Sequence, residues 1–319
     1  MSKGNVTILG SNGHLGHAAM LAFRDAGWTV TGLARRNRRP VAGTAFIAGD
    51  ADAVETVRAA IADADVVVNG LHLRYDQWGE GRAEKQLQTV IDALGDSGKT
   101  LLFPGTIYNY RAADRTVSPN LRQSPEAPRG AIRIRLETML RTAAEAGRFQ
   151  ALILRAGDFF GPGNRGEWFE AAMLMHAAKD RLYHLGALDQ RHSWAYLPDL
   201  GRAFVALAER RQTLAPFENS HFAGHFVSHR QLMAAIREAA GRPLQVAPLP
   251  WWMLRAAGLV NPVMRDIYAC AISGRTRWNW STRASTPCSA PLSPPRSRPP
   301  SPPRSTNCSP RGGQPEKRT

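Results

Sequence analysis

The chain has 319 residues, 41 Lys and Arg against 26 Asp and Glu, a formal net charge of +15, and 43% hydrophobic residues. That hydrophobic fraction is ordinary for a globular protein, and no apolar run approaches the ~20 residues that span a bilayer. Only three cysteines are present, which excludes a disulfide scaffold. The first residues show no signal-peptide pattern, so we expect a cytoplasmic protein that makes no membrane contact.

The first part of the chain alternates between short apolar runs and amphipathic segments. The predicted strands are Asn5–Leu9, 28–33, 44–47, 65–69, 100–103 and 151–154, and the predicted helices run from residue 17 to Gly27 and over 52–62, Arg82–Leu94 and 131–146. Such alternation predicts an α/β fold with a doubly wound parallel sheet. Beyond residue 157 the pattern becomes irregular and rich in Gly, Pro and aromatic residues, which suits a smaller lobe.

The loop after the first predicted strand reads GSNGHLG. Its glycines follow G-x-x-G-x-x-G spacing between a strand and a helix, where missing side chains let backbone amides approach a pyrophosphate at the positive helix end. The residues predicted to bind a dinucleotide are Gly10, Ser11, Asn12, Gly13, His14, Leu15 and Gly16. For His14, a plain exposed loop position is the alternative.

Arginines follow the second predicted strand, in the sequence ARRNRR. A cofactor without a 2′-phosphate would call for an acidic residue here, whereas Arg35 and Arg36 can pair with a 2′-phosphate through forked hydrogen bonds. The sequence therefore predicts NADP as the cofactor, with NAD as the second choice. A solvated basic loop is the alternative, and it suits Arg38 and Arg39 better.

Two further residues end predicted strands on the same side of the sheet. Asp50 follows the third strand, where it would accept from an adenine amine or cap the next helix. Asn69 ends the fourth strand, where it would lie along the cofactor or form a plain turn. Both are predicted cofactor-binding residues.

Several motifs together resemble the extended short-chain dehydrogenase/reductases, the NAD-dependent epimerase/dehydratase family. They are GSNGHLG, the Asp50 position, VVVNG, RAGDFFGPG at 155–163 and YLPDL at 196–200. The resemblance covers about residues 4–268. It implies a Rossmann dinucleotide-binding domain at 1–156, a substrate lobe at 157–268 interleaved with it, and a helix of that lobe opening near Asp199.

The resemblance implies a catalytic group made of a Ser or Thr after the fifth strand, and a Tyr and a Lys four residues apart on the next helix. Thr106 fits the first position. Aligned through Glu137, however, the Tyr and Lys positions hold Arg129 and Arg133. Arginine stays protonated and is a poor general base, so ordinary family catalysis is in doubt.

Tyr108 and Tyr110 follow Thr106 closely. Our working assignment places Tyr108 as the replacement phenol, with Thr106 and Arg133 completing the catalytic set. Aromatic packing against the second lobe is the alternative.

Asp158 stands where the family's Asn-x-Tyr-Gly-Pro turn has an asparagine that helps to hold a nucleotide-sugar pyrophosphate. A carboxylate there would repel a pyrophosphate, so we disfavour nucleotide sugars and expect an uncharged or cationic substrate. Asp158 and Phe160 are the predicted substrate-binding residues. Phe159, Phe160, Trp168 and Trp194 suggest an apolar pocket, with ordinary core packing as the alternative.

No metal site is predicted. His221, His225 and His229 recur every four residues, but the intervening Gly224 and apolar residues favour a strand and turn over one helical ligand face. The cysteines all fall beyond residue 269, which leaves no thiol nucleophile in the predicted domains.

Residues 269–319 have a different composition, with ten of the 22 prolines, nine basic residues and one acidic residue after Ala269. Such a segment cannot bury a core and reads as a disordered basic tail. Serines recur every fourth residue from Ser281 to Ser309, and restoring one lost nucleotide near Ala269 converts most of them into apolar codons. We therefore favour an out-of-frame translation here, which sequencing of the gene tests.

Two function classes remain open. The first is an NADP-dependent oxidoreductase or epimerase-like enzyme that acts on a small carbonyl or hydroxyl substrate. The second is a non-catalytic dinucleotide sensor that has lost the Tyr-x-x-x-Lys pair. We expect a small-molecule partner and no nucleic acid unless the basic tail is genuine, and we leave a homodimer open.

Overall fold

A computed structural model describes residues 2–73, 77–111, 113–114, 116–163, 166–257, 259 and 279–280. The strands are β1 Asn5–Leu9, β2 Thr29–Ala34, β3 Ala45–Ala48, β4 Val66–Asn69, β5 Thr100–Gly105, β6 Thr116–Val117, β7 Gln150–Arg155, β8 Asp158–Phe160, β9 Arg181–His184, β10 Arg191–Tyr196, β11 Phe217–His221, β12 His225–Ser228, β13 Gln245–Pro248 and β14 Asn279–Trp280. The helices are α1 His14–Asp25, α2 Val54–Ala60, α3 Arg82–Leu94, α4 Pro128–Glu145, α5 Leu197–Arg210, α6 His229–Ala240 and α7 Trp251–Ala257. Apart from 279–280, the predicted tail at 269–319 lies outside the described residues.

Seven parallel strands form the main sheet in the order β11-β7-β5-β4-β1-β2-β3. The order reverses at β1, which is the hallmark of a doubly wound Rossmann sheet, so the predicted fold class is confirmed. β4 reads VVVN and is buried along its whole length, as expected for a strand covered on both faces.

Helices cover both faces of the sheet. On one face, α1 and α5 pack with β1 and β4 in a core that includes Phe23, Leu200 and Phe204. On the other face, α2, α3 and α4 form a second core with the opposite sides of the strands. The helix that YLPDL opens therefore lies on the sheet, and the expectation that it belongs to the lobe was wrong. The side of α5 that faces α1 is apolar, and burial of that side holds α5 against the sheet.

The predicted lobe contains a three-stranded sheet in the order β12-β10-β8 and the parallel pair β9 and β13. Its core includes Met173, Leu182, Trp194 and Met233. Ser228 and Gln231 form a capping box at the start of α6, and Gly241 ends that helix in the left-handed conformation. β11 returns to the main sheet beside β7, so the chain passes from sheet to lobe and back.

Among the described residues, none of the helices combines the length and the apolar character that crossing a lipid bilayer requires.

The contact between α1 and α5 depends on Gly201. A Cβ atom there would lie 2.8 Å from the carbonyl oxygen of Ala18 and 3.0 Å from Cβ of Ala22. Although alanine favours a helix over glycine by about 1 kcal/mol, we expect Gly201→Ala to lower the free energy of unfolding by about 1–3 kcal/mol, because the two helices must move apart. Urea unfolding measures it. Gly79→Ala, whose Cβ would meet no atom within 4 Å, is the control, and equal stability of both variants would contradict this packing argument.

Candidate functional site

Backbone packs directly on backbone where β1 meets α1. Gly10 has a φ of +73°, and a Cβ there would lie 2.7 Å from the carbonyl oxygen of Gly70. A Cβ at Gly16 would collide with the carbonyl oxygen of Gly10, and one at Gly70 would lie 2.7 Å from that of Leu9. Side chains are excluded at these positions, and their absence brings the start of α1 onto the ends of β1 and β4.

The first turn of α1 forms a positive, anion-attracting surface. Gly13 caps the helix in an extended conformation, and the first turn contains no acidic residue. The first N–H groups of a helix have no intrahelical acceptor, and the helix dipole adds to their positive potential. The predicted cofactor residues Ser11 and Leu15 are buried, so their side chains contribute little to the accessible surface of the loop.

His14 begins α1 and contacts the lobe. Its Nδ1 lies 3.2 Å from Oε1 of Glu167, and both side chains are about one quarter exposed. The predicted cofactor residue His14 therefore joins the glycine loop to the segment that follows the GPG turn. This contact places one carboxylate close to the positive end of α1.

Asn12 connects the glycine loop to the arginine loop. Its Nδ2 donates to the carbonyl oxygen of Arg36 at 2.6 Å. Its Oδ1 accepts from the backbone N–H groups of Arg38, at 2.9 Å, and Arg39, at 3.2 Å. The side chain that sequence reasoning assigned to the cofactor thus holds the loop that carries Arg35 and Arg36, both of which are exposed.

The two predicted strand-end residues make local hydrogen bonds. Asp50 is exposed, and its Oδ1 accepts from the backbone N–H of Asp52 at 3.1 Å in the turn before α2. Asn69 is buried, and its Oδ1 accepts from the backbone N–H of Leu71 at 3.2 Å. Asp50 thus orders the turn before α2 but does not cap that helix, whose N-cap residue is Ala53, and Asn69 orders the loop that leaves β4.

The predicted catalytic residues lie around the end of β5. The hydroxyl of Thr106 is buried and has no hydrogen-bond partner among the described residues. Arg133 Nη1 donates to the carbonyl oxygen of Pro104 at 3.2 Å. The half-buried ring of Tyr108 packs on a small cluster that includes Ile107 and Tyr110. The structure therefore brings Thr106 and Arg133 to one strand end, while the Tyr108 ring packs beside them.

A buried ion pair between Arg155 and Glu137 is hydrogen-bonded to this strand end. Arg155 Nη2 donates to Oε2 of Glu137 at 2.7 Å, and the arginine side chain is fully buried. Its Nη1 donates to the carbonyl oxygen of Thr106 at 2.6 Å. Asn109 and Gln123 complete the hydrogen bonding of the carboxylate. Burial alone would lower the pKa of Arg155, but the Glu137 carboxylate outweighs burial and raises it.

The predicted substrate residues belong to the inner side of the lobe. Asp158 Oδ2 lies 2.9 Å from Nε2 of the buried His192, a partner that sequence reasoning did not identify. Phe160 packs on Phe169 and Tyr196, each at 5.2 Å between ring centroids.

The two tryptophans proposed for an apolar pocket, Trp168 and Trp194, pack inside the lobe. Trp194 is 1% exposed and belongs to the lobe core, so core packing rather than a pocket describes it. Trp168 is partly buried against a second small cluster, with its ring 6.1 Å from that of Trp251.

Sequence reasoning missed three residues: His72, Trp78 and Glu167. His72 is solvent-exposed in the loop after β4, and its ring meets the edge of Trp78 at 5.9 Å between centroids. The guanidinium carbon of Arg133 lies 4.5 Å from the same indole centroid. Glu167 reaches His14 from the lobe. His72 could have been found from the sequence, because it is a polar residue two positions after the VVVNG strand end. Nothing in the sequence indicated Trp78 or Glu167.

The described residues contain no group of three or more His, Cys, Asp or Glu side chains arranged to hold a metal ion. His221 ends β11, His225 begins β12 and His229 begins α6, so these three histidines belong to different elements.

Comparisons with known proteins identify the same architecture. A model of the NAD dependent epimerase/dehydratase family matches residues 6–220. Among solved structures, MoeE5 in complex with UDP-glucose and NAD is similar, with 17% identity and a TM-score of 0.66 over 88% of this chain and 90% of that chain. The UDP-glucuronic acid 4-epimerase from Bacillus cereus, in complex with UDP-glucuronic acid and NAD, has 16% identity and a TM-score of 0.67 over 87% and 90%. No curated protein matches the sequence.

A UDP-glucose 4-epimerase from Thermus thermophilus, in complex with NAD, has 17% identity and a TM-score of 0.63 over 77% of this chain and 87% of that chain. At such identities these likenesses show the fold.

Two buried histidines make stability depend on pH. Burial, followed by the charge of Arg155, lowers the pKa of His221 to about 3, and burial, followed by His192, lowers that of His229 to about 4. The unfolded chain binds protons at these residues below its ordinary pKa of 6.5, and the folded chain does not, so stability falls as pH decreases from 6.5. Each histidine contributes a slope approaching 1.4 kcal/mol per pH unit well below the unfolded pKa.

We expect His221→Asn to make this decline shallower. Urea unfolding at pH 7, 6 and 5 measures the slope, and His176→Asn, at an exposed histidine, is the control. Equal slopes in the wild type and the His221 variant would contradict the assignment.

Proposed function

The chain belongs to the NAD dependent epimerase/dehydratase family, and from this premise we propose that it binds NADP(H) across the ends of β1, β2 and β4 and acts on a small carbonyl or hydroxyl substrate. The observation that carries the proposal is the pair of hydrogen bonds by which Asn12 joins the glycine loop to the loop of arginines. Family membership supports a nicotinamide dinucleotide; the phosphorylated form and the substrate are our proposals.

The described residues fit such a cofactor. The close packing of the glycines sets the start of α1 against the strand ends, where N–H groups and the helix dipole favour a pyrophosphate. Gly13 caps that helix, and a Cβ there would lie 3.3 Å from the carbonyl oxygen of Gly10, so the glycine keeps the loop tight against the helix. The buried hydroxyl of Thr106 offers a hydrogen bond at the other end of the site.

The arginine loop supports NADP over NAD, although the similar structures were solved with NAD. Asn12 fixes three backbone groups of the loop, which restricts where its side chains reach. Arg35 and Arg36 follow the end of β2, where the adenosine ribose lies in sheets of this kind. A guanidinium group there pairs with a 2′-phosphate through charge-assisted hydrogen bonds.

The nicotinamide half would extend over β4 and β5, where it would exchange a hydride with a substrate. Thr106, Tyr108 and Arg133 surround this end of the site, and we propose that Thr106 hydrogen-bonds the reacting oxygen. Asp158 and Phe160 approach from the lobe and would contact the rest of the substrate. Asp158 already forms a hydrogen bond with His192.

A non-catalytic dinucleotide sensor is the second candidate. The observation that favours it is the replacement of the family's Tyr and Lys by Arg129 and Arg133, neither of which can exchange a proton at neutral pH. A panel of aldehydes and ketones with NADPH, and of alcohols with NADP⁺, separates the two candidates. We expect oxidation of NADPH with at least one carbonyl compound; tight binding without any turnover would favour the sensor.

Calorimetry with NADPH and NADH tests the cofactor proposal. We expect NADPH to bind more tightly, and Arg35→Gln combined with Arg36→Gln to remove about a tenfold or larger preference, because a hydrogen bond to a charged group contributes about 1.5–3 kcal/mol. NADH binding should change little. Arg38→Gln is the matched control in the same loop. Equal affinity of the wild type for both dinucleotides would overturn the NADP assignment, and absence of heat from either would overturn dinucleotide binding.

A further inference from the structure

The loop after β4 presents a titratable group that the family's catalytic set does not include. His72 lies three residues beyond the end of β4 and is exposed to solvent. Trp78 holds this loop, because its indole Nε1 donates to the carbonyl oxygen of Leu73 at 2.9 Å. The imidazole packs against the same indole in an edge-to-face arrangement, with 5.9 Å between the ring centroids.

Arg133 lies over the ring of the same indole. Its guanidinium carbon lies 4.5 Å from the Trp78 centroid, and its Nη1 donates to the carbonyl oxygen of Pro104 in β5. Trp78 therefore brings a histidine from the β4 loop and an arginine from α4 together. The hydroxyl of Thr106 follows two residues after Pro104 on the same strand end.

Strand order places this group at the reacting end of a dinucleotide. The sheet runs β5-β4-β1-β2, and a dinucleotide lies across the ends of these strands at the point where the order reverses. With its adenosine half toward β2, where the arginines are, a bound dinucleotide would have its nicotinamide half toward β4 and β5, on the side of His72 and Thr106.

The surroundings of His72 lower its pKa and so favour the neutral imidazole. The surrounding protein displaces water from the ring even though part of it is exposed, and this desolvation lowers its pKa most. Arg133 lowers the pKa next, and His14 and Arg129 lower it slightly, while Glu167 raises it. These groups come from α4, α1 and the lobe. A neutral imidazole can accept a proton, which neither Arg129 nor Arg133 can.

We propose that His72 is the proton-transfer residue of this site, in place of the family's tyrosine. The proposal rests on the proposed function. In the direction of alcohol oxidation, the substrate O–H bond breaks and its proton passes to the imidazole. The adjacent C–H bond breaks with its electron pair, which leaves as hydride to the oxidised dinucleotide, and the C=O bond forms. In the direction of reduction the imidazolium returns the proton to the new alkoxide oxygen.

Histidine NMR tests the placement without turnover. In the full chain labelled with ¹³C-histidine, the resonance that His72→Gln removes belongs to His72. We expect it to titrate below pH 6.5 and to titrate at lower pH with NADP⁺ than with NADPH, because the oxidised nicotinamide carries a positive charge. Arg133→Gln should raise this pKa, and Glu167→Gln should lower it. Identical titration in the two complexes would overturn the placement.

Kinetics test the role. With the best substrate from the panel above, we expect His72→Gln to lower kcat at least 100-fold while NADPH affinity stays within threefold of the wild type. The acidic limb of the alcohol-oxidation profile should move to higher pH in Arg133→Gln. His176→Gln, at an exposed lobe histidine, is the control and should keep the wild-type rate.

A His72→Gln variant with full activity, or a Tyr108→Phe variant that alone loses the acidic limb, would overturn the role of His72. Failure of the wild type to bind any dinucleotide would instead refute the proposed function. Binding without turnover, but with equal His72 titration in the two complexes, would refute the inference alone.

Discussion

A fully buried ion pair, Arg155 with Glu137, fixes the geometry on which the site depends. It joins the end of β7 to the middle of α4 and, through the carbonyl oxygen of Thr106, to the residue that follows β5. Removing one partner of such a pair costs about 3–5 kcal/mol, because the remaining charge is left without compensation. Together with the apolar packing of α4 on the sheet, this contact ties the helix that carries Arg133 to the end of β5.

The sheet and the glycine loop were predictable because their signals are local. A β-branched run such as VVVN and three glycines at fixed spacing determine structure within a few residues, and the structure has both where the pattern indicated. The place of α5 was not predictable from its own residues. Its apolar side suits either the lobe or the sheet, and only contact with α1, more than 170 residues earlier in the chain, decides between them.

The polar contacts of the site were likewise not predictable from local sequence. Asn12 was recognised as part of the cofactor loop, but its bonds to Arg36, Arg38 and Arg39 depend on how two loops meet. Asp158 was recognised as a departure from the family pattern, yet its partner His192 lies 34 residues away. His72 follows a recognised strand end but was overlooked. A histidine in a loop can be assigned a role only once its contacts are known, and here these are the contacts that Trp78 makes with His72 and Arg133.

The late return of β11 to the sheet has a consequence for synthesis of the chain. β7 is complete at residue 155, but the strand that covers its outer edge ends only at His221. While the ribosome makes the intervening lobe, the nascent sheet presents an unpaired edge, the kind of surface that recruits other strands. The complete seven-stranded sheet therefore needs roughly the first two thirds of the chain, and a protein ending near residue 156 would leave that edge unpaired.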